Sequence, residues 1–506
     1  MRISPLQVVE QKYWAGLTKQ SHLGYLGLTK PPAVLSEIVD NLFEVNYGDD
    51  NIVSLVDKYP TKYVDQEIYE WSLKGTSERN IPLAYATYLS NATTEVTITS
   101  STAVQVGLNF LPFFLYFSEK WFSSPSVLGG LRPEDYQVKI LEDPLQVNSL
   151  WRYKVQIYGN NTNSFMPIEE LLPSVPYGQL YAPVEREFSK RGSDIQFAGF
   201  FKLQNTISTI RKTYIAPGSM IKMGQNVPLA AKFQDDNGKV LVKWIDVVAW
   251  EFYKQMRRDK ARLIMYGKST LDGNQQSQVM GESGNPVIAG YGLYEQMSGS
   301  NLGFYNNFSL DALTDFAMKI SYNKIPEDKR KFVVSTGQYG LYQFHKAAQL
   351  KSSTLPGMRY DQYLKSAGSG KLSLEEGQII KYVTVNGIEF NLIHDPMLDS
   401  PVTSGKIPHP LGGWVSSYIY NIWDFGTDNG EPNIQKVAIQ GDEEYMRYVP
   451  GLRDPFSAGG LGASNSMAAH GVDTYEVHKM MNTSIRLKNP LKSGRFMPNI
   501  YKSLGY

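Results

Sequence analysis

Residues 244–266, WIDVVAWEFYKQMRRDKARLIMY, run for 23 residues without a glycine or a proline and form the clearest helix signal in the chain. Trp244, Val248, Phe252, Met256 and Leu263 recur at helical spacing. That pattern predicts one amphipathic helix roughly 35 Å long at about 1.5 Å per residue. Lys254, Arg257, Arg258, Lys260 and Arg262 crowd its second half, where cations complement the helix dipole. They form either a solvated face or a face turned toward nucleic acid. Gly267 follows directly and reads as the helix terminator.

What flanks this helix is different in kind. Upstream, residues 1–95 carry short apolar pieces interrupted by Pro31, Pro32, Pro60 and Pro82 and by scattered glycines. They read as an arm that lies on something else rather than as an independent domain. From about 95 to 160 the period changes to two. WRYKVQIY, residues 151–158, sets Trp151, Tyr153, Val155 and Ile157 against Arg152, Lys154, Gln156 and Tyr158, as a half-buried strand does. With VTITSS, YQVKIL and the apolar run AVQVGLNFLPFFLYF, read as buried strand, it predicts a small β-rich module. Pro167, Pro173, Pro176 and Pro183 mark an irregular connector. Residues 196–243 return to extended structure, and AAKFQDDNGKVLVKW places Asn237-Gly238 where a type I′ hairpin turn needs positive φ.

Downstream, six glycines between residues 281 and 303 read as a mobile loop. Beyond it the pattern is α/β: a helix from about Ser309 to Tyr322, a buried strand KFVVST, a helix from about Tyr339 to Gln349, and a hairpin KYVTVNGIEFNLI turning at Asn386-Gly387. PFSAGGLGASNSMAAHG is small-residue loop, and TSIRLKN reads as a closing strand.

Two short motifs imitate catalytic ones. NYGDDN, residues 46–51, resembles the metal-binding turn of template-dependent RNA polymerases, with Asp49 and Asp50 as the paired carboxylates. That chemistry also needs a second carboxylate pair and a ribose-selecting Ser-Gly-x-x-x-Thr, and the sequence has neither. Only 46 residues precede Tyr47, too few for the preceding palm and fingers. Gly-Asp-Asp-Asn is ordinary turn chemistry, so a solvated turn is expected. LIMYGKST, residues 263–270, imitates a phosphate-binding loop around Lys268, but the position five before Gly267 is Arg262 and the preceding residues are helical.

No nucleophile elbow, zinc helix or dinucleotide turn occurs. His394, Asp395, Asp399 and His409 could hold a metal, yet the prolines among them suggest a rigid loop; His470, Asp473, Glu476 and His478 read as surface loop. No catalytic, cofactor-binding or metal residue is therefore assigned. Fifty Lys and Arg against 49 Asp and Glu give a net charge of +1, so no global field draws the chain to nucleic acid or an anionic membrane. The absence of cysteine excludes disulfides, thiolate catalysis and cysteine–zinc sites. MRISPLQVVEQKYW lacks a signal-peptide core, and the longest apolar stretch is shorter than a bilayer span. Secretion and membrane insertion are not expected. A content of 33 Tyr, 22 Phe and 8 Trp hints at surfaces that end in interfaces.

The order of arm, hairpin region, long helix, α/β unit and return strand resembles the major capsid proteins of tailed phages, the Hong Kong 97-like fold. WEFYKQMRRDKARLIMYGKST, KFVVSTGQYGLYQFH, GIEFNLIHDPMLDSP and DTYEVHKMMNTSIRLKNPLKSGRFMP are similar to the capsid proteins of crAss-like phages. The resemblance implies an α+β subunit with a spine helix, an extended β-hairpin loop, an N-terminal arm and an inserted β-rich module, for which an immunoglobulin-like form is expected. It divides the chain into an arm (1–95), the inserted module and connector (96–195), the extended loop (196–243), the peripheral domain with the spine helix (244–289), the axial domain (290–470) and a return to the peripheral domain (471–506).

Under the same resemblance Asp236, Asn237 and Gly238 at the loop tip, with Trp244, Lys254, Arg257 and Arg258 on the spine helix, are expected to serve assembly. Hexamers and pentamers would build an icosahedral head around double-stranded DNA, with non-specific DNA contact. Portal, auxiliary capsid and head-fibre proteins would be the partners, in a virion assembled in the bacterial host cytoplasm. A separate scaffolding protein, or none, is expected. The competing readings are another virion component, such as a portal, tail or carbohydrate-binding protein, and a phosphoryl-transfer enzyme resting on Asp49, Asp50 and Lys268.

Overall fold

The computed structural model describes residues 52–75, 77–91, 94–189, 192–217, 228–234, 240–354, 381–384, 387–400, 402–403, 407–428, 430–452 and 468–500. The architecture is α+β. Two compact units divide it: one spans Ser72–Leu203, and the other is built from the chain on either side.

In the unit Ser72–Leu203 the strands pair round a closed ring. Ile81–Leu89 pairs Phe113–Phe117, which pairs Leu150–Ile157, then Gln137–Ile140, Val127–Gly129 and Pro176–Tyr181, and the last pairs Ile81–Leu89 again. Every pairing in the ring is antiparallel. This is a small barrel rather than an immunoglobulin-like sandwich, because Tyr177 opposite Ile81 closes the edge that a sandwich leaves open.

The barrel's core is aromatic. Phe113, Leu115 and Phe117 alternate inward, with Tyr153, Val155, Phe122 and Tyr177 buried around them. Trp151 and Ile157, the outer members of the period-two pattern, pack against the same core. The run AVQVGLNFLPFFLYF is strand only over Phe113–Phe117. Before it, Gly107, Asn109 and Phe110 take positive φ and turn the chain through a 3-10 segment. Ile81–Leu89, which lies within residues 1–95, runs in this barrel.

The other unit holds two main sheets. A six-stranded sheet has the order Asn301–Tyr305, Gly494–Pro498, Tyr420–Asp424, Lys331–Thr336, Glu389–His394, Lys381–Val383. Helices Leu310–Ser321 and Gln338–Thr354 accompany it, and Phe316, Ile320, Phe332, Val334, Phe344, Phe390 and Ile422 form one core between them. Ser309 caps the first helix, its side chain accepting the Ala312 N–H at 3.1 Å. Gly340 lets the second approach closely: a Cβ there would lie 2.0 Å from Thr336 Oγ1 and 2.7 Å from the Ser417 carbonyl.

The second sheet is organised by the 14-residue strand Thr474–Leu487. One edge pairs with Ser208–Pro217 from end to end. The other pairs first with Glu444–Pro450 and then with Ile434–Ile439, and Lys62–Val64 adds in parallel beyond the latter. Residues 281–303, expected to be loop throughout, contain a helical turn Leu293–Met297 and the start of strand Asn301–Tyr305. Leu293 and Met297, one turn apart, are both fully buried and anchor the segment.

Candidate functional site

The 23-residue helix Trp244–Tyr266 is where the sequence concentrated its expectations, and its two halves bury different faces. Phe252 packs against Tyr475, Val477 and Ala216 on the long strand and its neighbour. Ala261, Ile264 and Met265 join Leu293, Met297, Trp423, Ile485 and Leu487. At about 100° per residue, Ala261 lies opposite Phe252 on the helix, so one helix ties together two cores on opposite sides. This is why the expected stripe holds only in part. Phe252 and Met256 are buried, Leu263 is half-buried, and the side chains of Trp244 and Val248 lie outside the described residues.

The basic residues on this helix are engaged rather than arrayed on one solvated face. Lys254 is buried, its ammonium 4.7 Å above the Trp250 ring and 3.9 Å from Glu251. Lys260 pairs with Asp57 at 2.8 Å, and Asp259 accepts from Lys212 on the strand Ser208–Pro217. Arg257 is exposed and Arg258 half-buried. Asp236, Asn237 and Gly238 lie outside the described residues, but the strands on either side, Pro228–Gln234 and Val240–Lys243, pair antiparallel.

The groups with chemical potential are used structurally. His394 Nε2 lies 2.7 Å from Asp399 Oδ2, and the same oxygen accepts the Gln338 N–H at 2.9 Å at the start of helix Gln338–Thr354. Asp395 is fully buried; Oδ1 accepts the Met397 N–H, and burial pushes its carboxyl up to about 6. His409 stacks 3.9 Å from Tyr418, and burial holds its imidazole below the usual range. His478 joins Arg211, Thr213 and Glu476, while His470 lies 3.9 Å from Glu476. No cluster among the described residues has the arrangement of a metal site. Lys268 pairs with Glu295 at 3.2 Å. Gly267 donates its N–H to the Leu263 carbonyl as the helix ends, and forms no phosphate-binding loop. Asp49 and Asp50 lie outside the described residues.

A charged network has no signature in the sequence. Arg486, nearly fully buried, donates to Glu431 and Gln435 at 2.9 Å each, and Lys62 reaches Glu431 at 2.6 Å. Lys62 and Glu431 lie 369 positions apart, so no local pattern could reveal the network.

Against known proteins, the family model described as Crassvirus major capsid protein matches residues 2–501. The chain belongs to the Crassvirus major capsid protein family. It is 30% identical over 518 residues to the major capsid protein of Bacteroides phage crAss001, covering 99% of each chain. A solved structure from Gordonia phage Cozz superposes over 63% of this chain and 78% of its own with a TM-score of 0.34 and 8% identity. The mature capsid of bacteriophage PhiM1 gives 62%, 78%, 0.32 and 11%. Superpositions that loose carry no argument by themselves. The α+β order of long helix, mixed sheet and return strand is the one expected of a Hong Kong 97-like subunit. The capsid chain is thus a structural component of a phage virion, where it acts through oligomeric shell assembly.

Proposed function

We propose that the chain assembles as hexamers and pentamers into an icosahedral head enclosing double-stranded DNA, and that it catalyses no reaction. The observation that carries this reading is the full-length likeness to a phage major capsid protein. A shell closes only if one surface repeats at fixed angles, and a subunit gains such contacts most cheaply through extensions beyond its cores. The segment before Ile52 would be an arm, and the ribbon ending in Pro228–Gln234 and Val240–Lys243 would reach a neighbour through Asp236, Asn237 and Gly238. Trp244, Lys254, Arg257 and Arg258 would hold that ribbon's base on the spine helix. The six-stranded sheet would form the axial domain, the sheet around Thr474–Leu487 the peripheral domain, and Ser72–Leu203 the inserted module. Portal, auxiliary capsid and head-fibre proteins would complete the particle, built in the host cytoplasm, with non-specific contacts to the packaged DNA.

Negative-stain electron microscopy of the purified chain, alone and with candidate scaffolding partners, tests this alongside sedimentation. Closed shells or rings of five and six subunits are expected. A monodisperse monomer under every condition would refute it.

A further inference from the structure

In the unit Ser72–Leu203 the connector after the last barrel strand presents an apolar strip to solvent. Ile195 is 94% exposed, Phe188 80%, Phe201 67%, Phe200 61% and Phe197 60%. Residues 194–199 of the strip are tied to the barrel by their neighbours. The Asp194 N–H donates to Ser123 Oγ at 2.9 Å, the Gln196 amide donates to Gln179 at 2.7 Å, and Ala198 is buried. The Gly75 N–H donates to the Gly199 carbonyl at 3.3 Å. The side chains of Gln196 and Ala198 thus face the barrel while Ile195 and Phe197 alternate outward. Phe197 is further fixed by the Lys74 ammonium 5.0 Å above its ring and by the edge of Phe200 at 5.9 Å.

The five side chains together expose about 700 Å² of apolar surface, taking 150–250 Å² per aromatic residue. One partner in a standard protein interface contributes about 800 Å². Exposed apolar surface on that scale marks an interaction site. The described charged residues of this connector, Glu185, Arg186, Glu187 and Asp194, carry no positive excess, so the strip offers no attraction to nucleic acid or to an anionic membrane. A nearly neutral chain that assembles with copies of itself meets no repulsion there. We infer that the strip at Phe188, Ile195, Phe197, Phe200 and Phe201 docks on a second copy of this chain, as an assembly contact separate from the arm and the hairpin ribbon. This rests on the capsid reading.

The absence of cysteine makes a single introduced one a unique reporter. Ile195→Cys and Phe188→Cys chains are labelled with a maleimide, free and in sedimented particles. In particles the labelling rate is expected to fall at least tenfold. In parallel, a chain carrying Phe188→Ser, Ile195→Ser and Phe197→Ser is expected to keep its circular dichroism and lose at least tenfold in particle yield. Equal labelling of free and assembled chains overturns the inference while leaving the capsid reading intact, and so does protection that appears only when another virion protein is added. If the unaltered chain forms no particles, the capsid reading fails on that result. The strip is then judged by sedimentation of the free chain: self-association that the triple serine variant abolishes supports it, and identical profiles overturn it.

Discussion

Glu431 is the test of whether the long strand Thr474–Leu487 binds the N-terminal strand Lys62–Val64 through charge. Three cations converge on its carboxylate: Lys62 at 2.6 Å, Arg486 at 2.9 Å and Lys488 at 3.5 Å. The Lys62 hydrogen bond, with Arg486 behind it, draws the carboxyl from its ordinary 4.5 down to about 2. A shift of that size corresponds to about 3.4 kcal/mol at about 1.36 kcal/mol per pH unit. The Glu431 side chain is 38% exposed, so solvent screening reduces the figure to about 2 kcal/mol. Because the folded state depresses this pKa, the contribution is complete above about pH 4.5 and disappears as the pH falls toward 2. Glu431→Gln should therefore lower the urea unfolding free energy by about 2 kcal/mol at pH 7, with Arg486 left buried against Gln435 alone. The difference from the unaltered chain should narrow below pH 4.5 and close near pH 2. A difference that is constant with pH, or absent at pH 7, refutes the reasoning.

Other parts of the molecule give equally definite expectations. Glu170, fully buried in the barrel unit, accepts the Leu131 and Arg132 backbone N–H groups at 2.7 and 3.0 Å. Glu170→Gln can keep only one of these acceptors, at a local cost of about 2–3 kcal/mol, so hydrogen exchange at those two amides should quicken by about 30- to 160-fold; unchanged protection contradicts it. Gly340→Ala forces a methyl to within 2.0 Å of Thr336 Oγ1 and should cost about 2 kcal/mol or more, read as a fall in melting temperature. Asp395 acts in the opposite sense to Glu431. Burial raises its carboxyl from 3.8 to about 6, so the folded state holds the proton more tightly than the unfolded one. Stability is then fully present below about pH 3.8 and lost as the pH rises through about 6, by up to about 3 kcal/mol. Between pH 7 and 5 the unaltered chain should gain stability that Asp395→Asn does not, and parallel pH profiles would exclude the carboxyl as the source.

What was legible in the sequence was what repeats locally. Ser309 before an apolar-periodic run marked a helix start that the Ala312 N–H completes, and the alternation of Trp151, Tyr153, Val155 and Ile157 marked a strand against one core. Both signals are set by neighbours within a few residues. Barrel closure was not legible, because it depends on Tyr177 meeting Ile81 across 96 positions, and a period of two is the same in a barrel and a sandwich. The spine helix shows the same limit from within one element. A stripe through Trp244, Phe252 and Met256 assumes one partner surface along the whole length, whereas Ala261, Ile264 and Met265 turn the second half to another core. Its basic residues illustrate the rule for charge. Lys254 and Lys260 look solvated when counted along the helix, yet Trp250 and Asp57 take them up, because a long aliphatic stem can cover apolar surface while its head finds a partner. Helical cations in a subunit of this kind therefore cannot be assigned to DNA from sequence spacing alone. The exposed Phe and Ile residues of the connector are the reverse case: they are apolar where burial is the default, and such exposure marks surface that an interaction covers.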